Sequence, residues 1–363
     1  MNARILSACR SAVVPRGGAF ARLSLHDLAA PVVKAALHEA GLAPADVDEI
    51  IVSNALGGGG NPARVVALAA GLPERIAGLS IDRQCAGGLD ALLLAAQMVR
   101  SGAAEVVIAG GVESYSRRPL RLRTDPDGQP PQPYDQPPFT PWPDRDPDMA
   151  DAADALARDM GITRDAQDAW AIESHRKARA TRFPSGELVP IEGVTTDPFA
   201  RNLSARTCAR ATPICGTITA ANTAVAADAA AFCVVTSERL AAGRGLALLG
   251  GATCGSDPRL PGMAPLAAIA ETLRRTGLRA DDLTASEIME AYAAQAIACV
   301  QGAGLDPARV NSGGGALARG HPIGASGTVN AVRLFHRLRA DGGTGLAAIA
   351  AAGGLGSALI LAA

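Results

Sequence analysis

The chain has 363 residues, of which 34 are Lys or Arg and 35 are Asp or Glu, so its formal net charge is −1. A nearly neutral chain lacks the basic surplus that binds nucleic acids or anionic membranes, and we expect neither as a partner. Hydrophobic residues make up 48% of the chain, which excludes a disordered protein and provides for a large core, while no apolar run reaches the ~18 residues of a membrane span.

The cysteines and the first residues indicate the compartment. Seven cysteines are an odd number with no closely spaced CxxC pair, which is typical of reduced thiols in the cytosol and not of a disulfide framework. The opening segment MNARILSACRSAVVPRGG lacks the apolar core of a secretory signal. We therefore expect a soluble, cytoplasmic protein, and we predict no metal site.

Strands and helices alternate through the first third of the chain. The apolar patterns predict strands over residues 3–9, 46–53, 79–82 and 105–109, with helices over residues 24–40, 64–70 and 89–100 between them. Glycine-rich turns separate these elements, and Gly110-Gly111 are expected to end the fourth strand. This alternation predicts a layered α/β fold.

The composition changes abruptly after residue 116. Ten prolines fall between residues 117 and 147, so this stretch can hold neither a helix nor a central strand and is expected to be a surface excursion or a domain boundary. A polar helical region follows over residues 148–181, and residues 182–213 again have the composition of a loop. Regular α/β patterning resumes near residue 214.

Two parts of the chain repeat one pattern. In the first, Cys85-Ala-Gly-Gly is followed by an apolar helix, a strand and Gly110-Gly111. In the second, Gly324-Ala-Ser-Gly is followed by an apolar helix, a strand over residues 346–350 and Gly353-Gly354. The repeat predicts two similar α/β halves, the first of them interrupted by the proline-rich and polar segment.

Cys85 is the first candidate for chemistry. It directly precedes a helix, LDALLLAA, that is apolar nearly all round, so the free N–H groups and positive dipole end of a buried helix should face the thiol. Such a position favours the thiolate and suits a nucleophile that accepts an acyl group. The alternative is an inert core cysteine, which is common for this residue type.

His321 is the second candidate. It stands between Gly320 and Pro322 in a rigid turn before the second apolar helix, so the backbone should aim its ring. This suits a hydrogen-bond donor to a substrate carbonyl, or a partner for a cysteine. The alternative is a turn histidine with a purely structural hydrogen bond.

Three segments resemble the thiolase family. IDRQCAGGLDALLLAAQMVRSGAAEVVIAGGVES resembles its nucleophile segment, RVNSGGGALARGHPIGASG its histidine segment and AAGGLGSALIL its C-terminal glycine motif. Other stretches, such as GITRDAQDAWAIESHRKA, are also similar, so the likeness spans nearly the whole chain. It implies a thiolase fold of two duplicated five-stranded halves in five αβαβα layers with an inserted loop domain. The boundaries expected are 1–116 plus 227–243 for the N-terminal half, 117–226 for the insertion and 244–363 for the C-terminal half.

The resemblance also implies a catalytic set, and this chain keeps only half of it. Cys85 matches the nucleophile and His321 the catalytic histidine, and the backbone N–H groups of Cys85 and Ala352 match the oxyanion hole. The asparagine of the family's NEAF-like motif is replaced by Met289, and the second cysteine by Ala350. A variant family keeps its base cysteine at the position that Ala291 occupies here.

We therefore expect an acyltransferase that forms an acyl-Cys85 intermediate from an acyl-CoA or acyl-carrier thioester. Ordinary thiolysis and Claisen chemistry should be impaired, because neither alanine nor methionine can replace a base or hold a water. Glu290 is a candidate substitute acid or base, with a buried structural carboxylate as the alternative. A condensing enzyme with another base and a non-catalytic partner subunit of another acyl-processing enzyme remain open. Coenzyme A enters as substrate and no cofactor is predicted; a homodimer or homotetramer is implied by the resemblance alone.

Overall fold

The computed structural model describes residues 2–363. Its strands are β1 Ala3–Arg10, β2 Val14–Pro15, β3 Glu49–Ser53, β4 Leu79–Ile81, β5 Val106–Ser114, β6 Arg121–Arg123, β7 Gln132–Tyr134, β8 Pro213–Cys215, β9 Ile218–Thr219, β10 Ala227–Ser237, β11 Leu246–Gly255, β12 Ala285–Ile288, β13 Thr344–Ala351 and β14 Leu355–Ala362. Its α-helices are α1 Leu25–Ala40, α2 Pro62–Ala69, α3 Gly87–Ser101, α4 Met149–Asp159, α5 Arg164–Ala180, α6 Ala205–Ala209, α7 Glu238–Ala241, α8 Ala264–Thr276, α9 Ala293–Gly302, α10 Ala316–Arg319 and α11 Ile323–Asp341.

One mixed sheet shows the predicted duplication. The order β1-β10-β5-β3-β4 forms the N-terminal half, and β11-β14-β13-β12 forms the C-terminal half. In both halves the first two pairings are antiparallel and the next is parallel. The fifth strand of the C-terminal half is reduced to a parallel bridge between Ser286 and Val310. A short antiparallel pairing of Ala3–Ile5 in β1 with Leu246–Leu248 in β11 joins the halves.

Helices pack in three layers around the two half-sheets. α1 and α2 cover the outer face of the N-terminal half, and α8 covers that of the C-terminal half. α3 and α11 lie side by side and contact strands of both halves. A Cβ atom on Gly88 would lie 2.6 Å from the backbone N of Thr328, and one on Gly327 would lie 2.6 Å from that of Leu89. Glycine is therefore required where the two central helices meet. The order of helix and sheet layers confirms the predicted αβαβα arrangement.

The predicted fourth strand was too short. β5 does not end at Gly110-Gly111 but continues to Ser114. A Cβ atom on Gly110 would lie 2.0 Å from the carbonyl O of Ala231, and one on Gly111 would lie 2.0 Å from that of Gly324. These glycines allow close packing of β5 against β10 and α11, and they do not mark a turn.

The segment inserted into the N-terminal half is mostly surface structure. Its proline-rich part contains the short hairpin of β6 and β7, next to which Leu120 is 96% exposed. The polar helical region divides into α4 and α5, which are separated by a turn at Gly161 with φ +64°. We propose that residues 1–116 plus 227–243 form the N-terminal half, residues 117–226 the inserted loop domain and residues 244–363 the C-terminal half. Within residues 2–363 no helix is both long and apolar enough to cross a membrane.

Candidate active site

Cys85 lies in the tight turn between β4 and α3. The preceding residue, Gln84, has φ 48°, in the left-handed region that non-glycine residues seldom adopt, and its backbone N–H donates to Asp82 Oδ1 at 2.8 Å. A Cβ atom on Gly87 would lie 2.2 Å from Ser53 Oγ, so the first turn of α3 packs directly on the end of β3. This turn places Cys85 in the wall of a cavity.

His321 is aimed by the turn that opens α11. Its backbone N–H donates to the carbonyl of Val225 at 2.7 Å, and its Nδ1 lies 2.6 Å from Ser326 Oγ. The Ser326 hydroxyl donates to the carbonyl of Pro322 at 3.0 Å, so its oxygen accepts from Nδ1–H. Nε2 is then the unprotonated ring nitrogen, and it lies 3.1 Å from the sulfur of Cys85. The thiol therefore donates its hydrogen bond to the imidazole.

Burial keeps both members of this pair neutral. It raises the pKa of the Cys85 thiol to about 12, with smaller contributions from the negative charges of Glu113 and Asp82. Burial also lowers the pKa of His321 to about 4. The sequence led us to expect a thiolate favoured by the helix N-terminus, and burial acts on the pKa of this thiol in the opposite direction.

The cavity has a volume of about 310 Å³ and brings together most of the predicted positions. Cys85 and His321 share its wall with Ala350, Ala352 and Ala291. Tyr115 also lines the cavity, and the inserted segment supplies much of the remaining wall, through Arg121, Asp135, Gln136, Pro137, Phe139, Met149, Ala152, Ala153, Leu156, Thr223 and Ala224. An apolar enclosure with a few polar groups around a nucleophile is the usual form of a small-molecule site.

Met289 is not part of the cavity wall. Its side chain is only 1% exposed and belongs to the same buried cluster as Phe335, while its backbone N–H donates to the carbonyl of Ala348 at 2.9 Å. Ala350 does face the cavity, but a methyl group can neither donate nor accept a proton. In the described residues, Cys85 is the one thiol among the side chains that line the cavity.

Glu290 also lies outside the cavity wall, although its neighbours Ala291 and Tyr292 belong to it. Its carboxylate is 1% exposed and accepts four hydrogen bonds. The donors are Trp170 Nε1 at 3.0 Å, Ser174 Oγ at 2.7 Å, Asn311 Nδ2 at 2.8 Å and the backbone N–H of Leu317 at 3.3 Å. This arrangement favours the structural alternative over a role as substitute acid or base.

Two supporting residues were not singled out from the sequence. One is Ser326, which orients His321. The other is Glu113 at the end of β5, which is fully buried and whose pKa is raised by burial to about 7. Its carboxylate accepts from Asn54 Nδ2 at 2.7 Å and from the backbone N–H groups of Ala55, Leu56 and Gly324 at 3.2, 3.3 and 3.0 Å. Glu113 thus fastens the start of α11 to the loop after β3.

Comparisons with known proteins agree with this arrangement. Residues 3–239 match the thiolase N-terminal domain family and residues 246–363 the thiolase C-terminal domain family. The chain is 39% identical to an acetyl-CoA acetyltransferase of Cupriavidus necator, with 98% of each chain covered. It is 36% identical to an acetyl-CoA acetyltransferase of Escherichia coli, with 99% of this chain and 98% of that protein covered. A crystal structure of human mitochondrial 3-ketoacyl-CoA thiolase matches with a TM-score of 0.93 at 29% identity, covering 100% of this chain and 98% of the other.

Proposed function

The chain belongs to the thiolase family, and from this premise we propose that it is an acyltransferase that carries the acyl group of an acyl-CoA thioester on Cys85. The observation that carries the proposal is the 3.1 Å contact between Cys85 Sγ and His321 Nε2 in the wall of a cavity. A nucleophile in hydrogen-bond contact with a base, which is itself oriented by a third group, is the usual arrangement for covalent acyl transfer. Ser326 is the orienting group here.

In the proposed first half of the reaction, these groups account for the transfer of the proton and for the bonds that form and break. The Cys85 proton moves to His321 Nε2 as the sulfur attacks the thioester carbon. The backbone N–H groups of Cys85 and Ala352 are our candidates for the donors that stabilise the negative oxygen of the tetrahedral intermediate. Collapse of the intermediate breaks the bond to the coenzyme A sulfur, which takes the proton back from the imidazolium. The products are acyl-Cys85 and free coenzyme A.

We further propose that carbon–carbon chemistry is weak in this protein. Removing an α-carbon proton requires a base, and general-base assistance is typically worth about 10²–10⁴-fold in rate. Ala350 stands where the resemblance places that base, and Met289 stands where it places the asparagine. The favoured acceptor is therefore a nucleophile whose proton His321 itself can take, such as a thiol. In the same proposal, the thioester that donates the acyl group is either an acyl-CoA or an acylated carrier protein.

A second candidate follows from the relatives. Because two of them are named acetyl-CoA acetyltransferases, the acceptor could be a second acetyl-CoA whose α-carbon is deprotonated by another group. Glu290 is poorly placed for that role, since four donors occupy its carboxylate. Formation of a 3-ketoacyl product at a rate comparable with simple acyl exchange would favour this candidate.

The test is direct. Purified full-length chain is incubated with acetyl-CoA, with longer acyl-CoAs and with acylated carrier protein, and the intact mass of the protein is measured. We expect the mass to rise by one acyl group in the wild type but not in Cys85→Ala, and only slowly in His321→Ala. If no donor acylates Cys85, the proposal fails and a non-catalytic partner subunit becomes the better description.

We also propose a cytoplasmic location and a homo-oligomer. In residues 2–363 every cysteine is a free thiol, which suits a reducing compartment. β4 lies at the open edge of the ten-stranded sheet, and Leu79 in this strand and Leu94 on the neighbouring helix α3 are 43% and 36% exposed. An exposed edge strand with apolar side chains is a surface that a second copy of the chain would cover.

A further inference from the structure

The ring of Tyr292 lies in the same cavity wall as Cys85. Its backbone caps the N-terminus of α9 and forms an antiparallel bridge with Thr223, so the position of the residue is set by two elements. The inner part of the ring packs on the buried cluster formed by α4 and α9, which includes Ala153 and Ile297. This packing leaves the phenol oxygen at the end of a rigid side chain.

The hydroxyl of Tyr292 is an uncommitted hydrogen-bond donor. Within residues 2–363 no protein group makes a hydrogen bond with it, although Tyr292 is partly buried. Tyr292 and Cys85 line the same cavity, so a substrate bound there can contact both side chains. Burial, aided by the carboxylate of Asp148 and the sulfur of Cys85, raises the pKa of Tyr292 above its usual range. The phenol therefore keeps its proton at neutral pH and can donate but not act as a base.

Some of the other polar side chains of the wall already have partners. Nε2 of Gln84 points to the carboxylate of Asp82, and Nε2 of Gln295 donates to the sulfur of Cys299. Tyr115, the other tyrosine of the cavity, has its ring covered by the guanidinium of Arg118 at 4.5 Å. Besides the backbone N–H groups proposed above, a substrate oxygen in this cavity can thus meet the phenol of Tyr292 and the Thr223 hydroxyl, which likewise has no hydrogen-bond partner among residues 2–363.

We propose that Tyr292 is a further catalytic residue, whose O–H donates a hydrogen bond to the carbonyl oxygen of the acyl thioester while the sulfur of Cys85 attacks. This inference rests on the proposed function. The negative charge that develops on the oxygen is shared with the phenol O–H, which retains its proton, while His321 holds the proton taken from the thiol. The bond strengthens as the charge grows, so it lowers the barrier more than it tightens substrate binding.

The decisive variant is Tyr292→Phe, which removes only the hydroxyl. Single-turnover acylation of Cys85 by acetyl-CoA is followed by rapid quenching and intact mass. We expect the limiting rate constant to fall about 10- to 100-fold, with the acetyl-CoA concentration at half-maximal rate changed by less than about threefold. The matched control is Tyr134→Phe, which deletes a hydroxyl from a residue of β7 outside this cavity and should keep the limiting rate within about twofold.

Each outcome has one meaning. If the wild type is not acylated, the proposed function fails and this inference falls with it. If the wild type is acylated and Tyr292→Phe keeps its rate, the inference alone is wrong. Should Tyr292→Phe fold poorly, fluorotyrosine placed at position 292 replaces it: its more acidic phenol is a stronger donor and should accelerate acylation, whereas an unchanged or lower rate overturns the inference.

Discussion

The sulfur of Cys85 lies 3.1 Å from Nε2 of His321, although 236 positions separate the two residues in the chain. The contact exists because α3 and α11 begin next to each other at the centre of the molecule, each directly after one member of the pair. Glycines 88 and 327 permit this approach, since a side chain on either would collide with the opposite helix. The contact between these two side chains is therefore a product of the packing between the two halves.

Removing the Ser326 hydroxyl should misorient His321. In Ser326→Ala the Nδ1–H of His321 loses its acceptor, and the ring is free to turn or change tautomer, so we expect single-turnover acylation of Cys85 to slow by about 10- to 100-fold. Thr328→Val is the control, because it deletes a hydroxyl that donates to Gly88 from the same helix without contacting His321. Equal rates in Ser326→Ala and wild type would contradict the orienting role.

Alkylation of Cys85 should show the raised pKa of its thiol. Because burial raises that pKa to about 12, only a small thiolate fraction exists at pH 7, and this fraction grows about tenfold per pH unit without reaching a plateau below pH 10. The iodoacetamide rate at the Cys85 peptide, measured by mass spectrometry, should rise in the same way. The denatured chain is the control and should level off above about pH 9. Fast alkylation that persists down to pH 5 would instead indicate a thiolate–imidazolium pair.

Restoring a thiol at position 350 should restore carbon–carbon chemistry. The Ala350 methyl faces the cavity, so Ala350→Cys adds an ionisable group beside Cys85 with little cost in packing. We expect thiolysis of a 3-ketoacyl-CoA to rise by about 10²-fold or more, and further when Met289→Asn is combined with it. Ala350→Ser is the control of similar size and should show little gain. If the wild type already has full thiolysis activity, the proposed impairment is wrong.

Replacing the carboxylate of Glu113 should lower the stability of the fold. In Glu113→Gln one carboxylate oxygen becomes an NH2 group that faces backbone N–H donors, so we expect the free energy of unfolding to fall by about 2–4 kcal/mol in urea denaturation. Glu49→Gln is the matched control, because both of its hydrogen bonds, from Ile50 and Gly78, go to one oxygen that an amide retains. It should cost less than about 1 kcal/mol.

The raised pKa of Glu113 also sets the sign of a pH effect. Its folded pKa of about 7 lies above the ordinary value of 4.5, so the folded chain binds a proton that the unfolded chain has released between these pH values. The stability of the wild type should therefore decrease as pH rises from 5 to 7.5, and this part of the slope should be absent in Glu113→Gln. Urea denaturation at several pH values compares the two. A slope that is unchanged by the substitution would contradict the shift.

The order of residues indicates the layered architecture and the two candidate site residues, Cys85 and His321. Alternation of apolar strands and helices is local information, and so are the glycine turns before the two central helices. Cys85 and His321 could be found because each stands in a short, specific motif at the start of a helix. The inserted segment could also be located, since its ten prolines exclude a helix or a central strand.

The charge states and hydrogen bonds of these residues follow only from the three-dimensional structure. Charge state depends on burial, which only the packed structure shows, and the burial of Cys85 and His321 favours the neutral form of each. Glu290 and Glu113 are both glutamates next to glycine-rich or alanine-rich stretches, yet their donors come from distant segments that no spacing rule identifies. The same is true of Tyr292, whose free hydroxyl is visible only once α4, α9 and the turn before α3 have packed around one cavity. Hydrogen-bond partners and solvation are properties of three-dimensional neighbours, and for this reason the chemistry of the site could not be predicted from the order of residues.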